Sequence, residues 1–295
     1  MHDNKIIHCP CCDSSKSTVV VTLEENCKFQ RFKEFSEKKY QGLLEHFLPL
    51  DSILIRRCSY CGHLWYETQP SPVDLMRMYN SGVKINVNAK NTNSGRIRYI
   101  QNQLSKFLKF YKGKPNKMLD FGSGSGEWAK VAASLDCQVV AYEPAADRSE
   151  GETISSYRTV HKLSDIMNET FGLVNMEQVL EHVPSPYVTM REVAKLMTPA
   201  SVVRIAVPNV NRAHEKNKFW DDWPFNGETP HTMAPFEHLH GFTPHSFFCL
   251  MTNSGFEPVP FLDVLKVDFY TALKMLITRF AHKFGSPGGY WRLKS

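Results

Sequence analysis

The sequence lacks any long uninterrupted apolar run. No stretch of about 18 uncharged apolar residues, the length that a membrane-spanning helix needs, occurs along the 295 residues. The first residues, MHDNKIIHCPCC, contain neither the apolar segment nor the small-residue cleavage site of an export signal. We therefore expect a cytoplasmic protein with no transmembrane segment.

Charge also shows little bias, and no long basic block is present. Lys and Arg total 35 against 30 Asp and Glu, which gives a formal net charge of +5. The cysteine-containing residues 48–70 carry two of these cations, Arg56 and Arg57. Because a nucleic-acid surface neutralises several phosphates with Lys and Arg, nucleic acid is not the expected partner.

Cysteines are present, but their context argues against a disulfide framework. With no export signal, the eight cysteines are expected to be reduced thiols or metal ligands. Two Cys-x-x-Cys pairs supply four thiolates, the tetrahedral set of a structural zinc site. The predicted Zn²⁺ ligands are Cys9, Cys12, Cys58 and Cys61, with Cys11 as an alternative to Cys9 at a less suitable spacing. The 45 residues between the pairs exceed the roughly 15 to 20 of a simple zinc ribbon.

Length and composition indicate about two domains with a sizeable core, because 42% of the 295 residues are apolar. Residues 81–95 are rich in Asn, Ser and Gly, which is typical of a linker. The predicted parts are a zinc-binding N-terminal domain (1–80), the linker (81–95), a main domain (96–269) and an amphipathic C-terminal helix with its tail (270–295). We expect this helix to pack on its own domain or on a second copy of the chain, as in a homodimer, rather than on a membrane surface.

Strand and helix patterns alternate through the main domain. Predicted helices cover 97–111, 127–135 and 187–197, and predicted strands cover 117–121, 138–142, 157–160, 173–177, 201–206, 256–262 and 264–269. This rhythm predicts an α/β fold with a doubly wound, mostly parallel, Rossmann-like sheet. A small zinc-ribbon-like domain, with a helical insertion in 27–47, is expected to precede it.

A glycine-rich turn, Leu119-Asp-Phe-Gly-Ser-Gly-Ser-Gly126, joins a predicted strand to a predicted helix. Glycines allow a sharp turn and let a ligand lie against backbone N–H groups. The dinucleotide fingerprint is missing, because the sixth position from Gly122 is Glu127, and no P-loop lysine follows. Glu143 ends the next strand, where doubly wound folds bind ribose hydroxyls. Together these features indicate a nucleoside ligand without a pyrophosphate.

Three segments in this order resemble the class I S-adenosylmethionine-dependent methyltransferases. They are Leu119–Gly126, Val139–Pro144 and Phe171–Val183, and the resemblance extends over residues 96–262. It departs from the family at Gly172, where such proteins usually carry Asp. The resemblance implies S-adenosylmethionine as cofactor.

The resemblance also implies which residues hold that cofactor. Asp120 and the glycine turn would bind the methionine part, and Glu143 would bind the ribose. Residues 163–165 would line the adenine, and Glu177 would lie under the methionine end. The full predicted set is Asp120, Phe121, Gly122, Ser123, Gly124, Glu143, Pro144, Leu163, Ser164, Asp165, Glu177 and Gln178.

Methyl transfer to a hydroxyl requires a group that removes the hydroxyl proton. Histidine titrates near neutral pH and suits this role. His238 is the first candidate for a general base and His240 the second, with His182 and the adjacent Glu181 as further candidates. Substrate contact, structural hydrogen bonding and metal binding stay open for these histidines.

The cysteine pairs, followed by Pro-x-Pro and the segment Asp74-Leu-x-x-x-Tyr79, resemble the front end of bacterial methyltransferases for sugars and small metabolites. The resemblance implies methyl transfer to a small molecule, with a hydroxyl of a sugar or specialised metabolite favoured. Glu237-His238 is also similar to a motif of sugar carbon-methyltransferases, although Phe236 replaces their first histidine. A carbon-methyltransferase for a nucleotide-linked ketosugar is therefore an alternative. An RNA methyltransferase and a noncatalytic cofactor-binding scaffold are alternatives of other classes.

Overall fold

The computed structural model shows a large β-sheet, a smaller N-terminal sheet and the helices around them. It describes residues 5–23, 27–40, 53–81, 94–110, 117–145, 156–210, 225–226, 229–230, 232–233, 235, 238–270, 272–273 and 287–294. Among these residues the strands are β1 (Ser17–Leu23), β2 (Ile53–Cys58), β3 (Leu64–Tyr66), β4 (Lys117–Phe121), β5 (Gln138–Tyr142), β6 (Arg158–Val160), β7 (Phe171–Glu177), β8 (Met197–Ala206), β9 (Phe225–Asn226), β10 (Thr229–Pro230), β11 (His240–Gly241), β12 (Phe256–Pro258) and β13 (Gly288–Leu293). The α-helices are α1 (Cys27–Tyr40), α2 (Pro72–Ser81), α3 (Ser94–Phe107), α4 (Glu127–Ala133), α5 (Pro186–Lys195), α6 (Pro244–Asn253) and α7 (Phe261–Val267).

The large sheet has seven strands in the order β12-β13-β8-β7-β4-β5-β6. Neighbouring strands from β8 to β6 are parallel, whereas β13 is antiparallel to both β8 and β12. Side chains alternate between the faces, so Leu119 and Phe121 enter one apolar core and Met118 enters another. Helices α3 and α4 pack in the Met118 core, and α5 and α6 pack in the other. The predicted mostly parallel α/β sheet is confirmed.

The strand order creates a crevice at the carboxyl ends of the parallel strands. The chain runs from β4 outward to β5 and β6, and then returns to place β7 on the other side of β4. The carboxyl ends of β4 and β7 therefore flank a topological switch point, which is where open α/β sheets bind ligands.

The elements predicted between residues 97 and 206 are observed, with ends shifted by a few residues. Local signals explain this agreement. Helix α5, for example, begins after Ser185, whose hydroxyl accepts a hydrogen bond from the Val188 backbone, and carries Pro186 in its first turn. Helix α1 covers part of the predicted helical insertion, whereas residues 41–47 lie outside the described part of the chain.

The predictions fail after residue 256. Residues 264–269 were expected to form a strand, but residues 261–267 form helix α7, which buries Val264 and leaves Leu262 and Leu265 exposed. A short apolar run does not distinguish a strand from a helix by periodicity. The strand predicted at 256–262 ends at Pro258, since proline donates no hydrogen bond to a sheet.

Strand β13, which the pattern does not predict, completes the sheet from the C-terminal tail. Most of the predicted helix at 270–284 lies outside the described residues, and so do residues 82–93 of the predicted linker.

The smaller sheet has the order β1-β2-β3-β11 and is antiparallel. Its last strand, β11, comes from the distant part of the chain and pairs His240 with Trp65. Cys58, Cys61 and Trp65 share one apolar core with residues of the large sheet. The N-terminal unit, which comprises the smaller sheet and the cysteine pairs, therefore shares an apolar core with the main domain. In the described part of the chain, no helix combines the length and apolarity needed to cross a bilayer.

Candidate active site

The glycine-rich turn leaves β4 at the crevice. Gly122, Gly124 and Gly126 have φ angles of 71°, 54° and 76°, a left-handed conformation that favours glycine. A Cβ on Gly122 would lie 2.7 Å from the Val179 side chain, and one on Gly126 would collide with the Tyr157 hydroxyl. Among the described residues, no atom lies within 4 Å of a Cβ built on Gly124. This part of the chain therefore leaves space beside the Gly124 backbone.

Glu143 holds the glycine-rich turn through a hydrogen bond to its backbone. Its carboxylate is 5% exposed and accepts hydrogen bonds from the backbone N–H groups of Gly124, at 2.8 Å, and Ala145, at 3.1 Å. Each oxygen keeps a further acceptor site. The His161 ring donates to the Glu143 backbone carbonyl at 2.8 Å, and the 3₁₀ turn Leu163–Ile166 follows two residues later. The chain just before the predicted adenine residues therefore lies against the backbone of the predicted ribose residue.

Asp120 belongs to a buried polar network that sequence reasoning missed. Its Oδ1 accepts a hydrogen bond from Asn175 at 2.9 Å. Arg204 donates to Asn175 and to Glu177, each at 2.8 Å, and its guanidinium lies 4.3 Å from the centre of the Trp128 ring. Burial raises the pKa of Asp120 to about 6, and its Oδ2 has no hydrogen-bond partner among the described residues. A cationic ligand group would satisfy that oxygen.

The remaining predicted cofactor residues line the same edge. Phe121 packs on Tyr142, with ring centres 4.8 Å apart, and Ser123 donates its backbone N–H to the Tyr142 carbonyl. Pro144 is half-buried, and Gln178 is exposed with a φ of 55°.

Glu181, His182 and His238 form a cluster beyond β7. One ligand atom from each lies within 4.8 Å of the other two, and the two imidazole rings meet edge to face at 4.6 Å. Glu181 is 1% exposed, and neither carboxyl oxygen has a hydrogen-bond partner among the described residues. Burial raises its pKa to about 8. The cluster offers proton-accepting atoms, and the same atoms are suitable ligands for a cation.

His238 has a defined tautomer in this arrangement. Its Nδ1 donates to the Thr232 carbonyl at 2.5 Å, which leaves the lone pair on Nε2 in the neutral ring. The cluster lies next to the glycine turn, because Val179, two residues before Glu181, packs against Gly122.

His240 does not join this cluster. It is 2% exposed, pairs through β11 with β3, and places Nδ1 3.2 Å from His63 Nε2. Burial lowers the pKa of His240 to about 3, so it is a poor proton acceptor near neutral pH. Its position favours structural hydrogen bonding over the predicted base role.

The four predicted cysteines come together at the base of the N-terminal unit. The sulfur atoms of Cys9, Cys12, Cys58 and Cys61 lie within 4.8 Å of one another. The Cys9–Cys61 and Cys12–Cys58 separations are 3.5 and 3.6 Å, near the roughly 3.8 Å edge of a tetrahedral zinc–thiolate site. Backbone N–H groups of Tyr60 and Cys61 donate to Cys58 Sγ at 3.4 Å. The donor set is compatible with zinc and leaves no open position.

Cys11 lies beside this set rather than in it. A hydrogen bond from the Cys11 thiol holds the pKa of Cys9 well below its usual value, whereas burial raises the pKa of Cys11. Cys11 therefore supports a Cys9 thiolate from its own protonated state.

A glycine turn, a carboxylate after the next strand and the absence of a P-loop lysine define a nucleoside-binding α/β domain. Residues 93–260, more than half of the chain, match the family model described as a methyltransferase domain. The chain therefore belongs to this methyltransferase family. This match confirms the resemblance to S-adenosylmethionine-dependent methyltransferases that the sequence motifs predicted.

Solved structures agree with this assignment at the level of the fold. The plantazolicin methyltransferase BpumL in complex with SAH is 11% identical, with 75% of this chain and 94% of that chain covered and a TM-score of 0.52. The same protein with a pentazolic desmethylPZN analog and SAH is 11% identical, with 90% and 99% covered and a TM-score of 0.50. A comparison with curated protein sequences gives no match.

Proposed function

We propose that this protein transfers the methyl group of S-adenosylmethionine to a hydroxyl of a small molecule, such as a sugar or a specialised metabolite. One observation carries the proposal. Val179 packs on Gly122, and Glu181 follows two residues later in the chain, which supports a position of the Glu181–His182–His238 cluster near the glycine turn. The proposed cofactor site and a group of proton-accepting atoms would then share one end of the sheet.

The residues at this edge fit the cofactor by charge and by space. The orphaned Asp120 oxygen would accept the ammonium group of the methionine part, and the Glu143 carboxylate would accept the ribose hydroxyls. Residues 163–165 would lie along the adenine. When bound, S-adenosylmethionine supplies an electrophilic methyl group on a sulfonium.

The acceptor is activated by removal of its hydroxyl proton. His238 Nε2 carries the lone pair and would receive this proton while the acceptor oxygen bonds to the methyl carbon, the carbon–sulfur bond breaks and the sulfur leaves as the neutral thioether of SAH. A protonated His238 places a positive charge beside the Glu181 carboxyl and favours its ionised form. His182 is the second candidate for the base.

A carbon-methyltransferase is the second candidate function, and the Glu237-His238 motif favours it. In that reaction His238 would remove a proton next to the carbonyl of a nucleotide-linked ketosugar. Residues 236–237 lie outside the described part of the chain, so this candidate rests on the sequence motif.

The acceptor class can be tested by following the methyl group. We would incubate the protein with methyl-labelled S-adenosylmethionine and a size-fractionated extract of its source cells. Label in a small-molecule product supports the proposal, and the acid and base stability of the label separates oxygen from carbon methylation. Label in RNA would contradict it, as would full retention of activity by a heat-denatured control.

The cysteine cluster is proposed to hold structural zinc. We expect one equivalent of zinc per chain by plasma emission spectrometry, and Cys58→Ser should lose it because three thiolates cannot complete the tetrahedral set. Cys137→Ser is the matched control, since Cys137 is buried outside the cluster. Zinc retention by Cys58→Ser would contradict this assignment. Two metal equivalents in the wild type would instead indicate a cation at Glu181, His182 and His238.

The affinity for S-adenosylmethionine is expected to fall as the pH drops from 7 to 5. Asp120 has a pKa of about 6, and the ligand ammonium favours the carboxylate, so protonation competes with binding. Well below the pKa, the dissociation constant should rise about tenfold per pH unit. Calorimetric titration would measure it. In Asp120→Asn the affinity should be lower and nearly independent of pH in this range, and an unchanged pH dependence would remove Asp120 from the site.

A further inference from the structure

The N-terminal unit holds the chain segment that carries His238. Tyr66, at the end of β3, is buried, and its hydroxyl donates to the Met233 carbonyl at 2.5 Å. Its backbone N–H donates to the Leu239 carbonyl at 3.3 Å. One residue of the N-terminal sheet therefore anchors this segment on both sides of His238.

The first of these anchors lies beside the carbonyl that binds the His238 ring. Met233 directly follows Thr232, whose carbonyl accepts the hydrogen bond from His238 Nδ1. The hydrogen bond that one ring nitrogen makes decides which nitrogen carries the proton. The orientation of the Thr232–Met233 backbone therefore affects which ring nitrogen of His238 carries the proton.

The second anchor continues to the other members of the cluster. The Leu239 N–H donates to the Glu181 carbonyl at 2.7 Å, and the His240 N–H donates to it at 3.2 Å. Hydrogen bonds therefore connect Tyr66 to Leu239, and Leu239 to Glu181. Strand β3 is thus connected both to the segment that carries His238 and to the segment that carries Glu181 and His182.

Further contacts link the N-terminal unit to the segment that carries His238 and to His182. His63 stacks on His240, with ring centres 5.3 Å apart. Gly241 packs so closely that a Cβ there would lie 2.6 Å from Met233 Sδ. From α2, Tyr79 meets the His182 ring edge on at 6.3 Å. Each histidine of the cluster is thus connected to the N-terminal unit. His182 contacts Tyr79, and His238 lies in the segment that Tyr66 holds.

We infer that Tyr66 is a positioning residue, through which the N-terminal unit keeps the proton of His238 on Nδ1 and its lone pair on Nε2. The inference rests on the proposed function because it assumes that His238 is the base. It gives the cysteine-bearing unit a role in the reaction. Cys58 is the last residue of β2, Cys61 lies in the turn that connects β2 to β3, and Tyr66 lies on β3.

The tautomer of His238 tests this inference without an acceptor. In protein labelled with ¹⁵N-histidine, we expect the His238 Nδ1 signal to be that of a protonated nitrogen and the Nε2 signal that of an unprotonated one. The spectrum of His238→Gln assigns the signals. In Tyr66→Phe, the loss of the hydroxyl should convert this single tautomer into a mixture.

Activity and binding should separate in the same variant. With the labelled-product fraction identified above, Tyr66→Phe should lower the turnover about tenfold, with an unchanged zinc content and an SAH affinity within about twofold of the wild type. Tyr60→Phe is the matched control, because Tyr60 lies on the same hairpin and is 70% exposed. It should change none of these quantities.

A wild-type His238 with its proton on Nε2 would overturn the inference, and this result needs no variant to fold. An unchanged tautomer in folded Tyr66→Phe would overturn it as well. Failure of the proposed function is a separate result: no label would reach any acceptor, while the tautomer would still respond to Tyr66→Phe.

Discussion

Replacement of His238 by Gln is expected to lower methyl transfer about 100-fold or more and to leave the affinity for S-adenosylmethionine nearly unchanged. Glutamine retains a side-chain N–H that can reach the Thr232 carbonyl, but it supplies no basic nitrogen. Initial rates at saturating cofactor measure the effect, and SAH titration calorimetry measures the affinity. The loss should appear in turnover because the proton is removed only as the acceptor reacts.

His245→Gln is the matched control for this experiment. His245 is half-buried and lies edge on to the Tyr60 ring, at 5.9 Å, beside the cysteine hairpin. Its replacement should leave the rate within about twofold of the wild type. Full activity in His238→Gln would remove His238 as the base, and His182 would then be the residue to replace.

Replacement of Glu143 by Ala is expected to have the largest effect on cofactor binding. Charge-assisted hydrogen bonds to the ribose are worth about 1.5 to 3 kcal/mol, which corresponds to a loss of affinity of roughly 10- to 150-fold. The same carboxylate accepts the N–H groups of Gly124 and Ala145, so the glycine turn should also lose order. Calorimetric titration with SAH measures the change.

Glu169→Ala serves as the comparison for the loss of a carboxylate. Glu169 pairs with Lys117 and Arg158, the first residues of β4 and β6, at the opposite end of the strands from the glycine turn. Partly exposed ion pairs of this kind contribute little to stability. It should bind SAH as the wild type does. An unchanged affinity in Glu143→Ala would exclude the ribose assignment.

The sequence offers candidates for the proposed cofactor half of the site because the signals there are local. A strand, a glycine turn and a carboxylate after the next strand follow one another within Leu119–Glu143, and each has a recognisable pattern. The network behind Asp120 was missed, because Asn175 and Arg204 lie in strands read as apolar runs. A charged residue within the buried segment SVVRIAV was the available signal, since a buried arginine nearly always has a polar partner.

The acceptor half depends on contacts between distant parts of the chain. His240 is a candidate base from the sequence because it lies, like His238, after the irregular segment that could cover the acceptor, yet its pairing with β3 directs it to His63. Tyr66 and Met233 are 167 residues apart in sequence, and no local pattern indicates such a contact. The predicted strands at 256–262 and 264–269 overlap helix α7 (Phe261–Val267), because the periodicity of a short apolar run does not distinguish a strand from a helix.

A crystal structure with bound SAH tests the central claim most directly. The account predicts the adenosyl group between Glu143 and residues 163–165, the ammonium on Asp120 Oδ2, and the sulfur facing the Glu181–His182–His238 cluster. The position of the sulfur relative to His238 Nε2 is the quantity to measure. SAH bound away from the glycine turn, or bound there with its sulfur directed away from the cluster, would contradict the proposed methyl transfer.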